Sequence, residues 1–407
     1  MVQRRVPRPS ELRPLLRPAP FVRGAAERRL LRAASIEDLR LIARRRTPRA
    51  VFDYTDGAAD GELSLHRARQ AFARVEFSPT VLRDVSTVDT GRDILGKRSN
   101  LPFAFAPTGF TRMMHHEGEN AVVAVAQKVG IPYALSTMGT TTIEEMAAAA
   151  PDARKWFQLY LWRDRAPAKD LVQRAAEAGY DTLILTVDTP VGGARLRDVR
   201  NGLTVPPALS LRTFVDGARH PHWWFNLLTT EPLEFANLSS SEGSNVADFI
   251  GRIFDPALTM DDVDWLRSTW QGKLVVKGIQ SVEDARRVVD AGVDGVLLSN
   301  HGGRQLDRAP VPLELVEPTV QAVGDRAEVL VDTGITHGAD VLAAIALGAR
   351  AALVGRAYLY GLMAGGRLGV EKAVAILAGE VVRTLQLIGV NSVDDLRREH
   401  VRLRPNA

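Results

Sequence analysis

The feature that most constrains the fold of this chain is an alternation that begins near residue 100. A short apolar segment is followed by a polar loop and then by an alanine-rich segment with helical periodicity. Short apolar runs bounded by polar loops are typical of buried strands. The pattern predicts eight strands: Phe103–Ala106, Tyr133–Ser136, Trp156–Tyr160, Thr182–Val187, Leu274–Lys277, Val296–Ser299, Val329–Asp332 and Ala352–Gly355.

Strands that alternate with helices pair in parallel through right-handed crossovers. Eight such units predict an α/β fold of the closed (β/α)8 TIM-barrel type, with an N-terminal helical extension and a long loop after strand four. A doubly wound open sheet is the alternative, but no Gly-x-Gly-x-x-Gly motif follows an early strand. We expect a basic arm at 1–50, a barrel at 51–390 with an insertion at 188–273, and a C-terminal tail at 391–407.

The composition excludes several kinds of site. The chain has 407 residues and no cysteine, which rules out disulfide bonds, thiolate metal sites and cysteine nucleophiles. No helical His-x-x-x-His pair occurs, so no metal site is expected. No run of 18 apolar residues occurs, so no transmembrane helix is predicted. We expect a cytoplasmic protein, with peripheral contact at the inner face of the cell membrane as the further option.

Positive charge is concentrated at the N-terminus. Residues 1–50 hold fourteen arginines and four acids, a balance of +10, and the overall +4 leaves −6 for the rest of the chain. The stretch 4–20 is punctuated by proline and predicted to be irregular, whereas 28–46 has leucines and arginines at helical spacing. The first interpretation is a solvated helix packed on the barrel. The second is a patch for anionic lipid head groups. Nucleic acid is not expected, because the arm lacks interleaved aromatic residues and the body is acidic.

One long insertion, 188–273, interrupts the alternation and is rich in Pro, Trp, Ser and Asn. Long insertions at such junctions are usually lids or binding loops. It contains the aromatic cluster His222-Trp223-Trp224-Phe225. We predict a lid with a small core of its own, and the alternatives are a purely local core and a membrane or partner contact.

The segment from Ser299 to Asp307 follows an apolar strand and carries His301 and Arg304 on a glycine-rich loop. A histidine can accept a proton near neutral pH, and an arginine can bind a carboxylate through two parallel hydrogen bonds. The pair suits proton abstraction beside a carboxylate. The alternative is a glycine turn whose polar groups satisfy one another.

Hydrogen-bonding residues also stand at the carboxyl end of nearly every predicted strand, where barrels of this type bind their substrates. Lys277 emerges from a buried strand, where a lysine usually pairs with an anion. Schiff-base chemistry is one possibility, and stabilising a reduced, anionic cofactor ring is another. The glycines of the last two loops predict a phosphate-bearing cofactor. The strand-end residues are Pro107, Thr108, Gly109, Ser136, Gln158, Tyr160, Thr186, Lys277, Ser299, His301, Asp332, Thr333, Gly334, Gly355 and Arg356.

These motifs resemble the FMN-dependent α-hydroxy-acid dehydrogenase and oxidase family, and within it the quinone- or cytochrome-linked L-lactate dehydrogenases of actinobacteria. The similarity runs from Arg45 to about Val390. The most specific segments are Phe52-Asp53-Tyr54, Phe157-Gln158-Leu159-Tyr160, Leu185-Thr186-Val187-Asp188, Val276-Lys277-Gly278 and Ser299 to Asp307.

The resemblance implies a role for each matching residue. His301 is the base, Asp188 steadies its imidazolium, and Lys277 lies beside the flavin where negative charge develops. Arg195 and Arg304 bind the substrate carboxylate, with hydrogen bonds from Tyr54 and Tyr160. The expected FMN-binding residues are Pro107, Thr108, Gly109, Ser136, Gln158, Thr186, Lys277, Ser299, Asp332, Thr333, Gly334, Thr336, Gly355 and Arg356. The expected reaction is oxidation of L-lactate to pyruvate, with electrons passed to a quinone or cytochrome, in a homotetramer.

Three departures from the family pattern stand out. Many members carry Asp-Gly-Gly-x-Arg at the phosphate, where this chain has Thr336 in place of the arginine; His337 or Arg356 would have to compensate. Glycolate oxidases carry tryptophan where Met138 lies. Oxidases often carry alanine where Gly109 lies, which indicates a different response to oxygen.

Alternatives to this function remain at the level of sequence. A 2-hydroxy-acid oxidase that produces hydrogen peroxide, or a lactate monooxygenase, would use the same residues. The segment from Val296 to Arg356 also resembles inosine-monophosphate dehydrogenase barrels, but those need a catalytic cysteine. A barrel that binds FMN or a 2-hydroxy acid without catalysis is the alternative of another class.

Overall fold

The fold was analysed in a computed structural model that describes residues 5–13, 24–202, 216, 218–238 and 254–405. Eight parallel strands close into a barrel in the order β10-β11-β4-β5-β6-β7-β8-β9. The strands are β1 Val75–Phe77, β2 Arg92–Ile94, β3 Lys97–Ser99, β4 Phe103–Phe105, β5 Tyr133–Ser136, β6 Lys155–Leu159, β7 Thr182–Thr186, β8 Lys273–Ile279, β9 Gly295–Leu298, β10 Glu328–Val331, β11 Ala351–Val354 and β12 Val401–Leu403. The predicted TIM barrel is therefore confirmed, and all eight predicted strands match within two residues.

Helices cover the outside of the barrel. In the described residues they are α1 Pro9–Leu12, α2 Ala25–Leu30, α3 Ile36–Arg46, α4 Arg49–Asp56, α5 Leu63–Ala73, α6 Thr111–Met114, α7 Gly118–Val129, α8 Ile143–Ala149, α9 Ala166–Glu177, α10 Leu196–Asn201, α11 Pro221–Thr229, α12 Met260–Thr269, α13 Val282–Asp290, α14 Pro312–Val323, α15 Gly338–Ala346 and α16 Arg356–Ile388. Helix α16 is broken at Gly365 and Gly366, whose backbone angles are not helical. At Gly361 an added Cβ would lie 2.3 Å from the carbonyl oxygen of Gly369, so the two halves of α16 meet through bare backbone.

The interior of the barrel is filled by apolar side chains that its strands point inward. Trp156 is fully buried there, together with Ile184, Val275 and Leu297. The β2–β3 hairpin closes the amino-terminal end, because its Ile94 is buried in the same cluster. The carboxyl ends of the strands are thus left as the open rim, where a barrel of this type builds its site.

The basic N-terminal segment folds as two helices rather than the single helical stretch expected over 28–46. Ser35 caps α3: its Oγ accepts from the Asp38 N–H at 3.1 Å, and the Asp38 carboxylate accepts from the Ser35 N–H at 3.0 Å. This reciprocal capping box favours a helix start at Ile36. Leu30 and Leu39 are buried, while the charged face of α3 is exposed. Residues 9–12 form one helical turn where irregular chain was expected; residues 14–23 lie outside the described part.

The insertion between β7 and β8 contains α10, α11 and α12, and its segments 203–215, 217 and 239–253 lie outside the described residues. Helix α11 carries the aromatic cluster, and the Trp223 Nε1 donates to the carbonyl of Met113 at 2.9 Å. Phe225 and Leu228 on the same helix are exposed. Within the described part of the chain, no helix combines the length and apolar character needed to cross a bilayer.

Candidate active site

His301 lies at the carboxyl end of β9 in a left-handed backbone conformation, with φ +59°. The turn His301–Gly303 is fixed at both ends. Ser299 Oγ accepts from the His301 N–H at 3.0 Å, and Asn300 Oδ1 accepts from the Gly303 N–H at 2.9 Å. A non-glycine residue at positive φ costs energy and is often found where function requires it. The conformation turns the imidazole toward the end of β7.

Asp188, two residues beyond β7, receives that imidazole. His301 Nδ1 lies 3.0 Å from Asp188 Oδ1 and 3.3 Å from Oδ2, and the Asp188 side chain is wholly buried. Burial alone would raise the pKa of Asp188, but its contact with the His301 ring and the nearby charge of Lys277 outweigh burial and lower that pKa. Burial, with Lys277 adding to it, lowers the pKa of His301 below its usual 6.5, against the opposing effect of Asp188. The pair therefore holds a carboxylate and a neutral imidazole that can accept a proton at Nε2.

Two guanidinium groups approach Tyr54 from different elements. Arg304 lies 4.8 Å from the centre of the Tyr54 ring and Arg195 lies 6.0 Å from it. Arg304 also donates to the carbonyls of Tyr54 and, at 3.3 Å, Gly57. Neither arginine makes an ion pair with a carboxylate among the described residues. Burial and the nearby charge of Arg195 lower the pKa of Arg304. Asp198 acts on both arginines from beyond ion-pair distance, and two neighbouring cations without a direct carboxylate partner can bind an anionic group.

Tyr160 lies on the same side of the site as Tyr54, Arg195 and Arg304. Its ring packs edge-on against Phe254 with centroids 5.5 Å apart. Burial raises the pKa of the Tyr160 hydroxyl, and the charge of Asp188 adds to the effect, so the hydroxyl remains a hydrogen-bond donor. Tyr160 and Asp188 line a cavity of about 370 Å³ whose wall also includes residues of α12 and α13.

Lys277 is buried on β8 and connects this strand to the ends of β9 and β10. Its Nζ donates to Ser299 Oγ at 3.1 Å and lies 3.7 Å from Asp332 Oδ2. Since the same Ser299 Oγ accepts from the His301 N–H, Lys277 and His301 share one hydrogen-bond partner. The expectation that these two residues stand at one barrel mouth is met.

The neighbouring strand ends carry buried polar atoms that have no hydrogen-bond partner in the described part of the chain. Gln158 Nε2 and Thr186 Oγ1 are buried without a hydrogen bond among the described residues, while Gln158 Oε1 accepts from Ser136 Oγ at 2.9 Å. The β7–β8 register pairs Thr186 with Lys277. Unpaired buried donors are costly unless a ligand satisfies them. A planar ring with donors and acceptors at its edge, such as the isoalloxazine of FMN, fits this rim.

The loop after β4 supplies the opposite side of that rim. Thr108 Oγ1 lies 2.5 Å from the Tyr358 hydroxyl, which itself donates to the carbonyl of Ala106 at 3.0 Å. A Cβ at Gly109 would lie 3.1 Å from the Cβ of Met138. Glycine at 109 thus keeps a narrow space open beside Met138, at the rim where the ring would lie.

The expected phosphate region lies in the loops after β10 and β11. Arg356 Nε donates to the carbonyl of Thr55 at 2.9 Å and Nη2 to that of Gly57 at 2.8 Å. Its Nη1 would lie 2.7 Å from a Cβ at Gly302, so glycine there lets the guanidinium reach under the His301–Gly303 turn.

The loop after β10, where Thr336 replaces the family arginine, is held by hydrogen bonds to side chains of α5 and α15. Thr336 N–H donates to Asp340 Oδ2 at 2.9 Å, and Arg69 on α5 donates to the same oxygen at 2.6 Å and to the carbonyl of Gly334. The hydrogen bond to Asp340 raises the pKa of His337. Both groups expected to compensate for the missing arginine, His337 and Arg356, therefore lie in the loops after β10 and β11 as protonatable or cationic side chains.

Sequence reasoning gave no role to Gln305, which the structure shows to tie the site together. Its Nε2 donates to the carbonyls of Asp188 at 3.1 Å and Val191 at 2.8 Å, and its Oε1 accepts from the Gly193 N–H at 3.1 Å. These bonds fix the start of the insertion that carries both Asp188 and Arg195. The only sequence signal was its position inside the segment from Ser299 to Asp307.

Comparisons with known proteins agree with this geometry. The family described as FMN-dependent dehydrogenase matches residues 43–403. The chain is 58% identical over 400 residues to a Mycobacterium tuberculosis protein named "Putative L-lactate dehydrogenase", with 98% of this chain and 96% of that one covered. It is 42% identical over 369 residues to 4-hydroxymandelate oxidase of Amycolatopsis orientalis, covering 91% and 98%. Its fold is similar to the crystal structure of the monotopic membrane protein (S)-mandelate dehydrogenase, with TM-score 0.88, 38% identity, and 92% and 100% of the two chains covered.

A barrel that gathers an acid–base pair, a pair of arginines and a buried lysine at one rim is suited to redox chemistry on a small carboxylate. With matches over almost its full length, the protein is a flavin-dependent oxidoreductase of the 2-hydroxy-acid dehydrogenase and oxidase class. The chain belongs to the FMN-dependent dehydrogenase family, and its cofactor is FMN.

Proposed function

We propose that this enzyme oxidises L-lactate to pyruvate and delivers the electrons to a respiratory quinone or cytochrome. The observation that carries the proposal is the meeting of the His301–Asp188 pair with the guanidinium groups of Arg195 and Arg304 around Tyr54. A 2-hydroxy acid offers one carboxylate and one hydroxyl on the adjacent carbon, which are the groups these side chains would bind. The choice of lactate is supported by the relative named for it at 58% identity.

The reaction removes two electrons and two protons from the hydroxy acid. His301 Nε2, on the ring edge opposite the nitrogen held by Asp188, accepts one proton. The carboxylate of Asp188 fixes the tautomer of the ring and stabilises the imidazolium that results. FMN, when bound, would supply the acceptor for the two electrons and the second proton, and would then pass the electrons on.

Three further roles follow from position. Arg195 and Arg304 would bind the substrate carboxylate and so align its hydroxyl with His301. Tyr160, whose hydroxyl stays protonated, would donate to the substrate. Lys277, whose partners among the described residues are Ser299 Oγ and the more distant Asp332, would hold the edge of the cofactor at which negative charge accumulates.

The test is anaerobic mixing of the yellow protein with L-lactate, glycolate or mandelate, followed by flavin absorbance. We expect L-lactate to bleach the flavin fastest. Bleaching by mandelate alone would move the substrate to aryl hydroxy acids. A protein that binds the acid without bleaching would be a sensor, and a colourless protein that takes up no FMN would contradict the proposal outright.

The acceptor is decided by a second experiment. The reduced protein is mixed in a stopped-flow instrument with oxygen or with a soluble quinone analogue, and the two reoxidation rates are compared. We expect the quinone to be much faster. A relative at 42% identity is named as an oxidase, so the second candidate is a hydroxy-acid oxidase or monooxygenase. Rapid reoxidation by oxygen would favour it.

We further propose that the enzyme is cytoplasmic and associates as a homotetramer. Its chain would consist of a basic arm at 1–50, a barrel at 51–390 and a tail at 391–407. Peripheral membrane contact is supported by the exposed Arg44 and Arg45 on α3 and the exposed Phe225 on α11. Sedimentation with vesicles of phosphatidylcholine and phosphatidylglycerol tests the contact, and analytical ultracentrifugation tests the tetramer.

A further inference from the structure

A second cavity, of about 460 Å³, lies outside the barrel mouth. Its wall comes from α2, the end of α3, α6 and its following turn, α11 and the break in α16. No residue assigned above to FMN or substrate lines it. Its size is in the range of small-molecule sites. The lining residues are Ala25, Ala26, Arg29, Arg46, Thr47, Arg112, Met114, His115, His116, Glu117, His222, Trp223, Asn226, Leu227, Thr230, Leu233, Met363, Ala364, Gly365, Arg367 and Leu368.

The polar part of the wall carries excess positive charge, since four arginines face a single acid, Glu117, with three histidines beside them. The Glu117 carboxylate is already engaged, since it accepts from the Arg367 N–H at 2.7 Å. Arg46 makes no hydrogen bond or ion pair within the described part of the chain. Among the described residues, Arg29 donates only to the carbonyl of Ala364, at 3.3 Å, and its buried Nε has no partner there. Half-buried guanidinium groups without an anion are costly to maintain.

His115 lies closest to this charge. Burial, together with the neighbouring His116, His222, Arg46 and Arg29, lowers the pKa of His115 to about 3. The His115 Nδ1 accepts from the Glu117 N–H at 3.3 Å, so the neutral ring presents an N–H donor at Nε2.

The remaining wall is apolar. Met114, Leu227, Met363 and Leu368 line the cavity, and Trp223 closes one side through its hydrogen bond to the Met113 carbonyl. A wall of this kind accommodates a hydrocarbon or aromatic group next to a charged head.

We propose that this cavity binds an organic phosphate, with the phosphate between Arg29 and Arg46 and an apolar group against Met114 and Leu227. A phosphate carries more acceptor oxygens and more charge than a carboxylate, and therefore satisfies several converging donors at once. The same chemistry is offered by a soluble phosphate ester and by a lipid head group.

A divalent cation is the competing occupant. Ligand atoms of His115, His116 and Glu117 lie within 4.8 Å of one another. The surrounding arginines disfavour a cation there, and two of the potential ligand groups, the His115 Nδ1 and the Glu117 carboxylate, already accept hydrogen bonds.

The test is calorimetric titration of the FMN-loaded protein, which keeps the FMN phosphate site filled. The probes are inorganic phosphate, phenyl phosphate, phenol, monomeric dihexanoyl phosphatidylglycerol and zinc chloride. We expect phenyl phosphate to bind more tightly than inorganic phosphate, and phenol not to bind. Tighter binding of the short-chain lipid would assign the site to lipid head groups, and tighter binding of phenyl phosphate to a soluble ester. Zinc binding without phosphate binding would overturn the proposal.

Matched variants locate the binding. Arg46→Gln and Arg29→Gln should each weaken phenyl phosphate binding by about tenfold or more, because a charge-assisted hydrogen bond is lost. Arg45→Gln removes the same charge from an exposed position on the same helix and should change the dissociation constant less than about twofold. FMN content and turnover should be unchanged in all three. Equal binding by all three variants would place the phosphate elsewhere and refute the site.

Discussion

The side-chain amide of Gln305 spans the gap between the β9 loop and the start of the insertion, donating to the Asp188 carbonyl at 3.1 Å while its oxygen accepts from the Gly193 N–H at 3.1 Å. Gln305 is buried and lies four residues after His301. The loop that carries His301 is therefore joined to Asp188 in two ways. One is the direct His301–Asp188 contact, and the other is the hydrogen bond from the Gln305 side chain to the Asp188 carbonyl. Loss of the link should loosen the segment that carries Arg195.

Replacing Gln305 by alanine tests this positioning role. The variant loses three hydrogen bonds, each worth about 1 kcal/mol, so we expect the KM for the hydroxy acid to rise by roughly tenfold or more with smaller loss of kcat. Gln386→Ala is the control, because Gln386 is an exposed glutamine with one bond to the carbonyl of Val85. A purely structural role would instead lower the unfolding temperature and leave the KM of the folded fraction unchanged.

His301→Gln should retain FMN and lose flavin reduction. Glutamine cannot accept a proton at neutral pH, and general-base catalysis contributes roughly 100- to 10,000-fold to rate. The measurement is the rate of anaerobic bleaching at saturating L-lactate, with FMN content taken from the absorbance of the same sample. His66→Gln, at an exposed histidine on α5, serves as the control. Bleaching by the His301 variant within a factor of about ten of the parent would exclude histidine as the base.

The pH dependence of kcat/KM should have its acid limb below pH 6.5. The neutral ring of His301 is the active form, and burial with Lys277 lowers its pKa from 6.5, so activity is lost only when the pH falls below that lowered pKa. Asp188 acts in the opposite direction and raises the pKa of His301. Asp188→Asn should therefore move the limb to still lower pH, as well as slow the reaction. A limb above pH 6.5 in the parent, or one that moves upward in the variant, would contradict this electrostatic account.

The architecture was predictable because it depends on local apolar patterns. Phe103–Phe105 and Tyr133–Ser136 are short, wholly buried strands, and their sequences carry the signal without help from distant residues. The interruption between helices α2 and α3 was harder to predict. The helical spacing over 28–46 continues through the stretch where the chain turns, and the new start at Ile36 is set by Ser35, whose Oγ accepts from the Asp38 N–H, a contact whose energy competes with continued helix.

The site was predictable where each residue stands at a strand end. His301, Lys277 and Thr186 were expected at the rim for that reason, and their strands place them there. Gln305 was not, because its role arises from contacts with residues more than one hundred positions earlier in the chain. The cationic cavity was also missed, since Arg29, His115 and His222 come from three separate elements that only the fold brings together.

Leu30 and Leu31 are neighbouring leucines, one buried and one exposed, whose replacement tests whether the basic arm is packed on the barrel. Leu30 is 4% exposed and its Cδ1 would lie 2.8 Å from a Cβ at Gly365, so it packs directly on the break in α16, whereas Leu31 is 53% exposed. Leu30→Ala should lower the free energy of unfolding by about 2–5 kcal/mol, and Leu31→Ala by no more than about 0.5 kcal/mol. Urea unfolding of the FMN-saturated proteins measures both changes. Equal midpoints for the two variants would mean that α2 is not docked on α16 in solution, and the arm would then be a free segment rather than part of the folded body.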